Sequence, residues 1–276
     1  MAIESTASPD TSPSAAPVPP SSVTGRVLSI LAVFEKSLAP RSLTDIATET
    51  GLALSTAHRL VTELEGWGAL QRDTHGRYQI GLRLWELGQH AGRQVREIAR
   101  PLLQDLYSLT QRTVHIAIRE KTEVLYIDRI YDTRRVPQAS RVGGRLPLHA
   151  TAVGKVLLAF DESWLREAVL AQPLEGRTPR TNVDPEALRI ELAVIRERGY
   201  ALTVEEVRLG SASIAVPVFQ RGGGIGAALG LVAPADEAGT LERHLPAMRG
   251  ISRRIEASVG QFPLQSMGAR KPGVRS

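Results

Sequence analysis

Ser55, Thr56, His58, Arg59 and Thr62 place hydroxyl, imidazole and guanidinium groups between Ala57, Leu60, Val61 and Leu64. The apolar members recur at i, i+3, i+4 and i+7, the spacing of one helix face, so the polar members project from the other side. Their chemistry suits a DNA major groove: hydroxyls reach base edges or phosphates, and a guanidinium reads guanine through two donors. The alternative is an adaptor whose polar face is merely solvated and whose module meets protein partners.

A helix reads a groove only when others brace it. Upstream, Leu43, Ile46 and Ala47 predict a second amphipathic helix, with Ser42 as N-cap and Asp45 at the capping-box position. Thr50-Gly51 separates the two, glycine taking the left-handed conformation that turns the chain. Residues 23–37, with Val27, Ile30, Leu31 and Phe34 on one face, predict the third helix of a helix-turn-helix core. Downstream, residues 69–72 and 77–80 alternate around Asp73-Thr74-His75-Gly76, which predicts a hairpin. As a wing it would lay Arg72, His75 and Arg77 along the sugar-phosphate backbone.

The net charge of +5 is not concentrated in this module, where arginine and lysine from 23 to 90 balance aspartate and glutamate. Affinity for DNA then rests on local arginines and helix N-termini, which predicts a moderate salt dependence.

The 276 residues suffice for two domains with cores, and 42% hydrophobic with 23% charged is ordinary for a globular chain. The absence of cysteine removes disulfides, thiolate zinc sites and cysteine nucleophiles, in keeping with a reducing compartment. No apolar run approaches the ~20 residues of a membrane helix. The Pro/Ser/Ala-rich start carries Glu4 and Asp10 and no apolar core, so it reads as a disordered tail and not a secretory signal; a cytoplasmic protein is expected.

Leu84, Leu87, Ala91, Val95, Ile98 and Leu102 form a helical stripe beyond the wing, and Pro101 fits the first turn of a further helix ending near Thr110. Such a stripe must bury against its own C-terminal domain or a partner copy, and a symmetric dimer seam is the preferred reading because one half-site binds DNA weakly. From residue 114 the period changes to two, in VHIAI, VLYIDRI and VPQASRV. Helices are expected at 152–160, 163–171 and 184–198, and strands at 200–207, 213–219 and 225–233. A last helix is expected at 236–259. The fold class is α+β with two domains, the second a sheet with helices on one side. Its parts are a tail (1–19), a winged helix-turn-helix (20–82), a linker helix (83–96), an effector domain (97–262) and a second tail (263–276).

An enzyme needs a reactive constellation. Gly154-Lys155-Val156 lacks the flanking residues of a phosphate loop, and Gly222-Gly223-Gly224-Ile225-Gly226 lacks the third glycine of a dinucleotide fingerprint and reads as a hairpin loop. Ser211 and Ser213 have no nucleophile elbow around them. His115 and His149 lack metal-ligand spacing and read as satisfied polar or partly buried histidines. No catalytic residue, metal or cofactor is expected.

The chain closely resembles the IclR family of bacterial transcription regulators across residues 23–260. The resemblance is carried by LSTAHRLVTELEGWGAL (54–70), GRYQIGLRLWELG (76–88), GRLPLHATAVGKVLLA (144–159), RERGYALTVEE (196–206) and SIAVPV (213–218), in that order. It implies a winged helix-turn-helix joined by a linker helix to a GAF-like effector domain. Such a protein works as a homodimer or dimer of dimers that binds a double-stranded DNA operator and a small-molecule effector, commonly an organic acid or aromatic catabolite. The family pocket maps onto Ala152, Val153, Thr203, Ser213, Gly230 and Val232. Because Val153, Gly230 and Val232 offer no hydrogen bonds, Thr203, Ser211, Ser213 and N–H groups at the start of the helix at Ala152 are expected to hold a carboxylate.

Overall fold

The structure, a computed structural model, describes residues 20–35, 39–88, 93–131 and 141–259. Two compact units divide the chain, Met1–Ala91 and Gly92–Ser276.

The first unit contains α1 (Val23–Val33), α2 (Leu43–Thr50), α3 (Leu54–Trp67), the hairpin strands β1 (Leu70–Arg72) and β2 (Tyr78–Ile80), and α4 (Leu82–Gly88). Ile30, Ile46, Ala57, Leu60, Val61, Leu64 and Leu70 bury together, which fixes α3 with its polar face outward. Both halves of the Ser42/Asp45 capping box form, and Gly51 ends α2 at φ 68°. A link not expected from the sequence ties the wing to the helices: the Arg41 and Tyr78 backbones exchange hydrogen bonds of 2.8 and 2.7 Å.

The second unit opens with α5 (Arg93–Thr110), β3 (Thr113–Glu120), β4 (Glu123–Ile130) and β5 (Arg145–Pro147). A 3₁₀ turn (Leu148–Ala150) leads into α6 (Ala152–Phe160), α7 (Ser163–Leu170) and α8 (Pro185–Arg198). Then come β6 (Ala201–Val204), β7 (Ser211–Phe219), β8 (Ile225–Pro234), a 3₁₀ segment (Ala235–His244) and α9 (Leu245–Ser258). The strands form one antiparallel sheet in the order β5-β4-β3-β8-β7-β6.

Four expectations change. Helices cover both faces of the sheet, not one. Ile116, Ile214 and Leu229 pack with Leu103, Leu106, Met248 and Ile255 of α5 and α9. On the opposite face Ala117, Tyr126, Ala215 and Ala228 pack with Val156, Leu157 and Leu192 of α6 and α8. Strands apolar on both faces require cover on both. Secondly, Pro101 lies inside α5, because Val95 and Ala99 before it and Leu103 and Leu106 after it enter one core. Burial of both halves outweighs the hydrogen bond that proline removes. Thirdly, the stretch before α9 is 3₁₀ up to His244. Lastly, the stripe is divided: Leu84 packs on the first unit's core, whereas Val95 and Leu102 are buried inside the second. Residues 136–140 of VPQASRV and 89–92 of the expected linker fall outside the described residues.

Candidate nucleic-acid interface and ligand cavity

On α3, Ser55, His58, Arg59 and Thr62 are exposed and Thr56 is half-buried. Ala53 occupies the N-cap and supplies no side-chain acceptor, so the first-turn N–H groups of α3 receive no capping side chain. Unsatisfied N–H groups with the positive end of the helix dipole form a phosphate-compatible terminus. Thr62 donates to the His58 carbonyl at 2.9 Å, and Arg59 lies 2.7 Å from Glu63. That pair is exposed and therefore weak, so the guanidinium is oriented without being locked.

The wing arginines are held by their own hairpin. Arg72 Nε donates to the Gly76 carbonyl at 3.1 Å and its guanidinium lies over the Tyr78 ring. Arg77 Nε sits 3.4 Å from Asp73. Hydrogen bonds from the backbone N–H groups of Arg77 and His75 keep the Asp73 carboxyl below its usual range. The loop therefore presents Arg72, His75 and Arg77 from a fixed turn.

In the second unit Ala152, Val153, Thr203, Ser211, Ser213 and Val232 converge on one cavity. Gly230 is not part of its wall. A Cβ there would approach His115 Nε2 to 2.3 Å and Val153 Cγ1 to 2.9 Å, so this glycine leaves room for the imidazole against β8. Two of the hydroxyl hydrogens are committed and the third is weakly held. Ser213 donates to the Leu231 carbonyl at 3.0 Å, Ser211 to Arg208 at 2.8 Å and Thr203 to Ser213 at 3.5 Å.

Three titratable wall residues escaped the sequence reading: His115, Tyr126 and Glu206. Whereas His149 Nε2 lies 3.0 Å from the Glu175 carbonyl, His115 is buried and its Nδ1 has no partner among the described residues. The expected satisfied histidine is therefore right for His149 only. Burial, and secondarily the charge of Arg129 on the neighbouring strand, pushes the His115 pKa from 6.5 down to about 3, leaving it neutral. Tyr126 contacts it edge-on, and burial raises the phenol pKa. Below pH 6.5 the unfolded chain binds a proton that folded His115 refuses, so stability is lost as pH falls toward 3. His149 and His244 are shifted in the same direction, again mainly by burial. A His115→Leu protein should therefore show a shallower fall in thermal midpoint between pH 7 and 5 than the unmodified chain; parallel curves would contradict a buried neutral imidazole.

Glu206 belongs to a buried ionic cluster. Lys155, fully buried on α6, places Nζ 2.7 and 2.9 Å from the Glu206 oxygens and 2.6 Å from Glu191 of α8. Burial raises the Glu206 pKa, opposed by Lys155. Asn182 donates to both carboxylates, and Thr181 donates to the Glu206 carbonyl at 2.6 Å. The available signal was a lone lysine in the otherwise apolar helix AVGKVLLAF, a charge that demands a buried partner.

A winged helix-turn-helix and an α+β unit enclosing a small cavity define a DNA-binding regulator with a ligand-sized pocket. The family comparisons agree. Residues 23–74 match the IclR helix-turn-helix domain, and residues 90–256 match the bacterial transcriptional regulator IclR C-terminal domain. The HTH-type transcriptional regulator XynR of Escherichia coli is 39% identical over 214 residues, covering 75% of this chain and 83% of that protein. The glycerol operon regulatory protein of Streptomyces coelicolor is 37% identical over 199 residues, covering 71% and 76%. Among solved structures, an IclR homolog from Microbacterium hydrocarbonoxydans complexed with 4-hydroxybenzoate is 34% identical. It has a TM-score of 0.81 and covers 86% of this chain and 98% of that one. Thermotoga maritima IclR gives 29%, 0.71, 86% and 98% in the same measures. The chain belongs to the IclR family of bacterial transcriptional regulators.

Proposed function

We propose that the protein binds a double-stranded DNA operator through α3 and the wing, and that a small metabolite in the cavity of the second unit sets its operator affinity. The observation that carries this reading is the pairing of an outward polar face on α3 with a cavity ringed by Ala152, Val153, Thr203, Ser211, Ser213 and Val232. Ser55, Thr56, His58, Arg59 and Thr62 are assigned to the groove and Arg72 and Arg77 to phosphates. The metabolite is an organic acid or aromatic catabolite, in keeping with the 4-hydroxybenzoate bound by the Microbacterium homolog. The protein acts in the cytoplasm and performs no catalysis. Residues 20–82 serve as the DNA-binding domain, 83–96 as linker and 97–262 as effector domain.

A homodimer or dimer of dimers is the working form. Leu82, Trp85 and Leu87 of α4 are more than half exposed, an apolar surface suited to a second copy. Among the described residues no helix is long and apolar enough to cross a membrane.

Gel shifts with genomic fragments, with and without candidate acids, test the reading. A sequence-specific shift that a metabolite alters is expected; the absence of any specific shift would overturn it. Within that assay Arg77→Ala should weaken cognate and random DNA alike and reduce the salt slope by about 1, the mark of one lost phosphate contact. A loss confined to the cognate fragment would reassign Arg77 to a base.

A further inference from the structure

The second unit carries another cleft, which shares no wall residue with the cavity already described. It lies where β7 runs past β6: the pairing of the two strands ends at Ala201 and Ala215, whereas β7 continues to Phe219. Helix α9, not a strand, closes that edge. Ser252 donates to the Pro217 carbonyl at 2.6 Å, and Glu256 accepts from the Phe219 N–H at 2.8 Å. Proline has no N–H to offer, so an added strand would find no ladder here. What remains is an open space of about 420 Å³, the size of a small-molecule site.

Its wall is cationic and aromatic. Arg196 of α8 and Arg249 and Arg253 of α9 converge on it. Arg196 donates to the Ala159 carbonyl at 3.1 Å and Arg249 to the Arg198 carbonyl at 3.0 Å, at the ends of α6 and α8. Each bond uses one of five guanidinium N–H donors and tethers the group at the cleft. Arg253 makes no hydrogen bond or ion pair among the described residues, and none of the three has a carboxylate partner there. By contrast, Arg112, Arg119, Arg145 and Arg189 of the same unit are all paired with acids. Against the three arginines the described wall sets one acid, Glu256, leaving a formal excess of two positive charges. Phe160 and Phe219, edge to face with ring centroids 5.5 Å apart, add an apolar surface. Guanidinium groups with spare donors grip carboxylates and phosphates bidentately and stack on planar rings.

We infer that this cleft is a second ligand site and takes a small aromatic dianion, its charge on Arg196, Arg249 and Arg253 and its ring against Phe160 and Phe219. The charge is that of one phosphate monoester or of two carboxylates, which the arms of the test separate. Helices α8 and α9 pack on opposite faces of the sheet, so a ligand held by both would join the two layers. The inference is independent of the operator and effector readings, and its failure leaves both intact.

The test is calorimetry on the full chain at neutral pH, where a phosphate monoester is largely dianionic. Phenyl phosphate and terephthalate are the probes, with inorganic phosphate and benzyl alcohol as controls. At least one aromatic dianion should bind saturably, about tenfold or more tightly than either control. Arg249→Gln/Arg253→Gln should lower that affinity by at least about tenfold, and Arg249→Lys/Arg253→Lys should recover part of it. Arg253→Gln alone breaks no contact within the described protein, so it decides the matter even if the double variant unfolds: the affinity should still fall several-fold. No saturable binding of either dianion, or binding that Arg253→Gln leaves unchanged, would overturn the proposal. Inorganic phosphate binding as tightly as the aromatic dianions would remove the rings from the site and overturn it equally.

Discussion

Lys155→Met should destabilise the second unit by about 3–5 kcal/mol, the usual cost of removing one partner from a buried ion pair. The lysine is fully buried, and its loss strands Glu206, which burial already pushes toward protonation. Glu191 is partly exposed and can turn to water, so most of the cost falls on Glu206. Urea unfolding should show the midpoint falling sharply for Lys155→Met and partly recovering in Lys155→Met/Glu206→Gln, where the stranded charge is gone. Equal midpoints for the single and double variants would mean that the cluster is not electrostatically coupled. Because Glu206 is also a cavity wall residue, the cluster braces the cavity wall as well as joining α6, α8 and the chain after β6.

The second large effect concerns DNA. Arg59→Ala and Thr56→Ala should each weaken operator binding by roughly 1–3 kcal/mol while leaving the thermal midpoint in place. Arg59 contributes little to folding, since its bond to Glu63 is an exposed i,i+4 pair. Leu60 and Val61, by contrast, are fully buried and hold the helix in place. Unchanged operator affinity in both variants would remove α3 from the groove.

What could be read from the sequence follows from the range of the interactions. Helix α3 was legible because its buried face repeats within fourteen residues and the turn that precedes it is marked by Gly51, the end of α2. The capping box of α2 spans four positions and needs no distant partner. Five of the six cavity positions mapped from the family motifs, with Ser211 beside them, meet around one space, although nothing local indicates that Gly230 lies behind the imidazole and not in the wall. The partners of Lys155 stand 36 and 51 positions away, and Arg41 meets Tyr78 across the whole of the helix-turn-helix. Pro101 misled for the same reason: the local rule ends a helix, and packing against strands far along the chain continues it. The lack of a partner for His115 belongs to no motif at all.

The most direct test of metabolite control is Val153→Trp, which fills the cavity from α6 of the second unit. Val153 is a buried wall residue, so a thermal melt must first show that the variant is folded. Operator affinity is then measured by fluorescence anisotropy, with and without an acid that shifts the unmodified protein. An effector acts only through a difference in its affinity for DNA-competent and incompetent states, typically worth 1–3 kcal/mol of coupling. The expected result is basal operator affinity within a few fold of the unmodified chain and no response to the acid. A folded Val153→Trp protein that still responds fully would place the effector elsewhere and contradict the account.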